Sequence, residues 1–217
     1  MKNYINKFLN LIMSFALSLA TIGSSVILVL NLKVIYNVLA KKLSLDKIAN
    51  VSLEGIIEDY KTLINYLQNP RIDKLKFNNF YMSDNGEFHF YEVKNIFLGI
   101  YLLTIISILI LLIYIIYKKY KKKETNIIKI ANNSANIMMI TFGIILGAIL
   151  IDFSKAFVIF HEIFFNNDYW IFDPYLDPII MVLPEYIFMI YAIIVIALIL
   201  GCITLYKVLY YKKIKNK

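Results

Sequence analysis

Four stretches of this chain, 8–32, 96–117, 137–153 and 186–206, are apolar over roughly the 20 residues that a helix needs to cross the hydrocarbon core of a bilayer. No water reaches that core to satisfy backbone N–H and C=O groups, so such stretches must fold as helices. The composition agrees: 60% of the 217 residues are hydrophobic, against roughly 45–50% in soluble domains. No Pro-, Gly- or Ser-rich linker divides the chain and no repeat is present, so one membrane domain over 1–217 is expected. The first stretch follows Lys2 and Lys7 and encloses Ala20, as a secretory signal would. Its apolar run outlasts the ~7–15-residue core of such a signal, and it reads as a retained anchor.

Loop charge sets the expected orientation, because Lys and Arg close to span ends stay in the cytoplasm. After the second stretch come Lys118, Lys119, Lys121, Lys122, Lys123 and Lys129 against Glu124 alone, and the tail carries Lys207, Lys212, Lys213, Lys215 and Lys217. Both segments, and with them both termini, are expected inside. From Lys41 to Lys94 eight bases balance eight acids, and from Asp152 to Glu185 Lys155 stands against six acids, so both segments are expected outside. The net charge of +8 is then a topology signal on the headgroup side, and nucleic acid is discarded as a partner. Cys202, the single cysteine, lies inside the last stretch and excludes an internal disulfide. Gly143 and Gly147 form a GxxxG on the third stretch and are read as a helix-packing face. Pro184 marks a helix start.

Chemistry is expected in an extracytoplasmic cap built from 40–95 and 154–185. From Leu53 to Leu67 the apolar positions Leu53, Ile56, Ile57, Tyr60, Leu63, Ile64 and Leu67 keep helical spacing, which predicts an amphipathic helix ended by Asn69-Pro70. The aromatic run from Leu75 to Met82, followed by the turn signal Asp84-Asn85-Gly86, predicts short strands or a hairpin. At Glu87 to Phe97 alternation pairs His89 with Tyr91 on a strand face, while helical spacing groups Phe90, Val93 and Phe97. A strand or turn at His89 running into the second span is the expectation. The predicted fold is therefore an all-α membrane bundle of four transmembrane helices with a small extracytoplasmic α+β cap.

The second external segment holds Phe153, Phe157, Phe160, His161, Phe164, Phe165, Tyr169, Trp170, Phe172 and Tyr175, interleaved with Asn166, Asn167, Asp168, Asp173 and Asp177. An aromatic belt at headgroup depth accounts for Tyr169 and Trp170, but not for a histidine and acids enclosed among the rings. His89 precedes the second span by about two helical turns, and His161 follows the third by a similar distance. The only two imidazoles of the chain are thus expected at one interface. Imidazole is the side chain suited to proton transfer near neutrality, so the pair is read as a functional site.

Other chemistries fit poorly. His161-Glu162-Ile163-Phe164-Phe165 lacks the second histidine of a zinc-protease HExxH. The two histidines with Asp168 or Asp173 show no close ligand pairing for a metal. No GxSxG elbow is present, Cys202 is far from both histidines, and the seven glycines form no phosphate loop. General acid–base catalysis by paired imidazoles, without metal or cofactor, remains.

The stretch from Phe160 through Trp170, followed by Asp173-Pro174, Asp177 and Leu183-Pro184, closely resembles the signature of the bacterial lipoprotein intramolecular transacylase family. The stretch from Asp84 to Val93 resembles that family's second motif, a histidine followed by a hydrophobic residue and then an acid. Phe90 stands where a methionine is expected and Glu92 where an aspartate is expected. The resemblance implies a cell-membrane acyltransferase acting, as a monomer, on a diacylated lipoprotein within membrane lipid. The sn-2 acyl chain of the diacylglyceryl group would pass to the α-amino group of the N-terminal cysteine, giving the lyso form, with the site at the outer leaflet. His89 and His161 are then the candidate catalytic residues, with the division between base and acid open. Glu92 or Asp168 would orient an imidazole, and Asn166 or a nearby tyrosine such as Tyr169 would stabilise the oxyanion, with Trp170 and Asp173 also supporting. Phe160, Phe164, Phe165 and Tyr91 would wall the substrate pocket. The rivals are a non-enzymatic membrane protein with an aromatic docking cap, and a membrane acyl hydrolase.

Overall fold

The computed structural model describes residues 2–123 and 125–216; Glu124 and Lys217, both used in the loop-charge argument, lie outside the described residues. Every regular element among the described residues is helical: α1 (Lys2–Asn31), α2 (Lys33–Lys42), α3 (Leu45–Ala49), α4 (Leu53–Gln68), α5 (Asp84–Tyr120), α6 (Ile127–Ile151), α7 (Phe153–Phe164) and α8 (Glu185–Lys215), with a 3-10 turn at Pro178–Val182. Among the described residues four helices are long and apolar enough to cross a membrane: Asn6–Asn31 within α1, then α5, α6 and α8. The chain divides into two compact units.

The first unit comprises 1–27, 100–151 and 193–217. Lipid tails are as apolar as leucine, so packing here relies on close approach and interhelical hydrogen bonds. Ser18 Oγ on α1 meets Ser134 Oγ on α6 at 2.9 Å, Thr21 Oγ1 meets the Tyr206 hydroxyl on α8 at 3.0 Å, and Lys207 Nζ donates to Asn132 Oδ1 at 3.1 Å. Ala135, Met138, Phe142, Ile196, Ile199 and Ile203 form its buried apolar layer. The GxxxG expectation is corrected, because among the described residues nothing lies within 4 Å of a Cβ built on Gly143 or Gly147. The close approach is at Gly23 on α1, where such a Cβ would fall 1.9 Å from Thr104 Oγ1 on α5. Overpacking of this kind typically costs ~1–3 kcal/mol. Gly23→Leu is therefore expected to lower the thermal midpoint in detergent while Gly143→Leu does not, and equal midpoints for the two variants would refute this assignment.

The second unit comprises 28–99 and 152–192. Here α4 matches its periodicity: Ser52 Oγ caps it by accepting from Gly55 N at 3.1 Å, Asn69 ends it, and Ile56, Tyr60, Leu63, Ile64 and Leu67 are buried. Tyr36 of α2 stacks on Tyr60 with ring centroids 3.6 Å apart and donates its hydroxyl to Val182 O at 2.9 Å. This seats the 3-10 turn in the same core.

The α+β cap is corrected, since no strand occurs among the described residues. The aromatic run at 75–82 is irregular because its backbone finds partners in a side chain. Asp59 of α4, fully buried, accepts Asn78 N at 2.7 Å and Asn79 N at 2.8 Å. Leu75, Phe77 and Phe80 are buried against the core, and Lys94 donates to Ile72 O. The strand or turn expected at His89 is likewise a helix. Asp84-Asn85-Gly86 forms the first turn of α5, capped by Ser83, whose Oγ accepts from Gly86 N at 3.0 Å and whose carbonyl accepts from Glu87 N at 2.9 Å. Asp84 and Glu87 place negative charge where the helix dipole favours it. Of the two spacings legible at Glu87 to Phe97, the 3.6-residue one operates. At the other end of the site Asp152 adopts extended backbone and its side chain accepts Lys155 N at 3.0 Å, which starts α7 as a helix separate from α6.

Candidate active site

His89 lies in the polar early turns of α5, ahead of the apolar stretch beginning at Ile96, and His161 lies in the last turn of α7. Both belong to the second unit, both are more than nine-tenths buried, and their ring centroids stand 5.9 Å apart at 32°. Aromatic rings enclose them. Phe165 touches both, at 4.7 Å from His89 and 5.5 Å from His161. Phe172 meets His89 edge-on at 5.5 Å, Phe157 lies 4.2 Å from His161, and Trp170 stacks on His161 at 4.6 Å and 28°.

One hydrogen bond decides a tautomer. His161 Nδ1 lies 2.7 Å from the carbonyl oxygen of Phe157, one helical turn back. A carbonyl can only accept, so Nδ1 carries the proton and the neutral ring keeps its Nε2 lone pair free. His89 Nδ1 is buried and has no protein partner among the described residues.

Burial governs the charge of both rings. The His89 imidazole is pushed down to about 4, first by desolvation and second by the neighbouring His161. Desolvation also lowers His161 below its ordinary 6.5, opposed by the Phe157 hydrogen bond. Near neutrality both rings are therefore uncharged, and His161 is competent as a base.

The remaining sequence candidates divide. Phe165 and Trp170 join the imidazoles, and Phe160 touches His161 edge-on at 5.4 Å. Phe164 is exposed and pairs with Phe160 at 4.7 Å. Tyr91 and Tyr169 flank Phe88, with ring centroids at 6.2 and 5.7 Å. Neither Glu92 nor Asp168 hydrogen-bonds an imidazole among the described residues. Glu92 instead accepts from Asn167 Nδ2 at 3.1 Å on both oxygens, and Asn167 Oδ1 accepts Tyr169 N at 3.0 Å. Asn166 and Asp168 are exposed, and Asp173 caps a turn by accepting Tyr175 N at 2.9 Å.

Three residues outside the expected set therefore matter. Asn167 ties the 165–172 loop to α5, Phe157 sets the His161 tautomer, and Phe172 covers His89. Phe157 was discoverable as the position four residues before His161, whose carbonyl faces that side chain on a helix. Asn167 and Phe172 carry no such signal, being neighbours of equally polar or aromatic residues.

Comparison with known proteins returns one family. The family model for the lipoprotein intramolecular transacylase Lit matches residues 11–188. The in meso structure of the membrane integral lipoprotein intramolecular transacylase Lit from Bacillus cereus is 32% identical, with 99% of this chain and 98% of that chain covered and a TM-score of 0.89. Two structures of histidine variants of that protein are also similar. One carries a histidine-to-arginine change, at 32% identity, 100% and 96% coverage and a TM-score of 0.81. The other carries a histidine-to-alanine change, at 33% identity, 98% and 96% coverage and the same TM-score of 0.81. Among curated protein sequences nothing matches the chain.

Proposed function

This chain belongs to the lipoprotein intramolecular transacylase family, and from that premise we propose that it moves the sn-2 acyl chain of a diacylglyceryl-modified lipoprotein to the α-amino group of the N-terminal cysteine. The product is the lyso form. The observation that carries the reading is the buried pair of imidazoles 5.9 Å apart, one of which has its Nδ1 proton assigned by a backbone carbonyl.

The chemistry follows from those two rings. An α-amine, with a reference pKa of ~7.7–8.0, must shed a proton to become an amide nitrogen. As the nitrogen attacks the ester carbonyl carbon, His161 Nε2 takes that proton. The C–N bond forms, the bond to the sn-2 oxygen breaks, and the departing oxygen receives a proton from His89. His89 is in turn reprotonated by the His161 imidazolium, so both rings return to their neutral starting state. No covalent acyl-enzyme is needed, because donor and acceptor belong to one substrate molecule. Folding that molecule into attack geometry contributes up to ~7–11 kcal/mol in favourable systems. The rings of Phe157, Phe165, Trp170 and Phe172 exclude the water that would hydrolyse the ester. Asn167 and Glu92 hold the Trp170 loop to α5. Both imidazoles come from one chain, so a monomer suffices. The lysine-rich segments at 118–129 and 207–217 support cytoplasmic termini and a site at the outer leaflet.

The test uses the isomeric nature of the reaction. Purified protein incubated with a synthetic diacylglyceryl lipopeptide is expected to give a product of unchanged mass, whose N-terminal fragment ions carry the acyl amide and whose primary amine no longer labels. Release of free fatty acid with a matching mass loss would mark a hydrolase instead, and unaltered substrate would overturn the proposal.

A further inference from the structure

Among the described residues three buried side-chain polar atoms have no protein partner: Asn37 Oδ1, His89 Nδ1 and Trp170 Nε1. Two of the three belong to the aromatic site. An indole N–H can only donate, and a buried donor without an acceptor is costly enough that native structures rarely keep one. If Trp170 served only to exclude water, a phenyl ring would cover His161 without burying that donor. The loop carrying Trp170 is nevertheless well held, through Asn167 to both oxygens of Glu92 and through Tyr169 N to Asn167 Oδ1. The indole is stacked on the ring assigned as base, with centroids 4.6 Å apart. A diacylglyceryl-cysteine headgroup is longer than that spacing, so one substrate molecule spans both groups. Of the side chains that the sequence offered as oxyanion donors, Asn166 is exposed, and the Tyr169 ring packs edge-on against Phe88.

We propose that the Trp170 indole N–H is the hydrogen-bond donor to the acyl carbonyl oxygen, and that it stabilises the oxyanion formed when the α-amine attacks. The assignment rests on the transacylase reading and adds a third catalytic group to it. As the C–N bond forms, the carbonyl π pair moves onto oxygen and the N–H shortens its contact to the O⁻. When the intermediate collapses the pair returns, the sn-2 C–O bond breaks, and the indole keeps its proton throughout. A preorganised donor of this sort is worth ~10²–10³ in turnover.

The test replaces Trp170 with β-(3-benzothienyl)alanine, which keeps the bicyclic shape and the stack but puts sulfur where the N–H was, alongside Trp170→Phe. With the synthetic diacylglyceryl lipopeptide, the benzothienyl protein is expected to lose ~10²–10³ in kcat, with KM and thermal midpoint unchanged. Indole does not titrate, so the loss should be equal at every pH; a disturbed stack would instead move the acid limb governed by His161. Trp170→Phe should lose at least as much kcat. Wild-type kcat in the benzothienyl protein, or a loss confined to KM, would overturn the assignment. Wild-type enzyme run in parallel separates the two claims: if it forms N-acyl product while the isostere is fully active, only the indole role fails, and if it forms none, the transacylase reading fails.

Discussion

His161→Ala should cost ~10²–10⁴ in turnover on the diacylglyceryl lipopeptide, the range general acid–base catalysis supplies, and His89→Ala should cost a comparable factor. The two losses should not add. In the proposed mechanism His161 takes the amine proton, His89 protonates the departing oxygen and His161 then reprotonates His89, so breaking either link interrupts the whole relay, and the double variant should resemble the worse single one. Near neutrality wild-type activity should be insensitive to the histidine equilibria, because burial holds both imidazoles below 6.5 and His89 near 4. The base form of His161 persists as pH falls until its lowered pKa is reached, so the acid limb of kcat set by His161 should lie below pH 6.5, not above it. A His161→Ala protein that is folded in detergent and migrates acyl chains at the wild-type rate would end the paired-imidazole mechanism. An acid limb well above 6.5 would mean that His161 is not the group that titrates.

Asp177→Ala should be among the most destabilising single substitutions in the cap. Asp177 is only 3% exposed. Its Oδ1 accepts Ser83 N at 2.7 Å, and its Oδ2 accepts the Ser83 hydroxyl at 2.7 Å. Ser83 is the residue that caps α5, so the carboxylate also faces the positive end of that helix. Hydrogen bonds to a charged group are worth ~1.5–3 kcal/mol each, so the loss of both gives roughly 3–6 kcal/mol. The approach is close enough to demand glycine at the next contact, since a Cβ on Gly86 would lie 2.3 Å from Asp177 Oδ1. Gly86→Ala should therefore destabilise in the same direction. His89 lies less than two turns into α5, so loosening this start should also misplace its imidazole and reduce turnover without moving the acid limb set by His161. Unfolding midpoints in detergent equal to wild type for both variants would remove this account of how α5 is anchored.

The amphipathic helix α4 was legible because everything that makes it lies within one stretch: the Ser52 cap, a 3.6-residue apolar period, and Asn69-Pro70 at its end. The start of α5 was not. Asp84-Asn85-Gly86 is as good a hairpin turn as a first helical turn, and His89-Phe90-Tyr91 satisfies either period. The choice falls to Ser83 and to Asp177, which is 94 residues further on. The aromatic run at 75–82 has strand composition, yet two of its backbone donors, Asn78 N and Asn79 N, go to Asp59, 19 and 20 residues earlier. Among Asn166, Asn167 and Asp168, local chemistry offers no reason to prefer the middle residue; only the facing Glu92 does. Among the described residues GxxxG at Gly143 and Gly147 has no helix against it, and the glycine that meets a helix closely is Gly23.

Membrane class and the four apolar spans were legible in the amino-acid sequence alone, and so was the expectation that the two histidines are the groups to move a proton. Apolar transfer energy and side-chain acidity are properties of a residue or a short run, readable without knowing what lies opposite. Tertiary structure decided that the imidazoles stand 5.9 Å apart, which nitrogen of His161 bears the proton, and which polar neighbour ties the Trp170 loop. Each of these depends on an atom contributed from another turn or another helix, and a linear string of residues does not say which atoms the folded chain will bring within hydrogen-bonding distance.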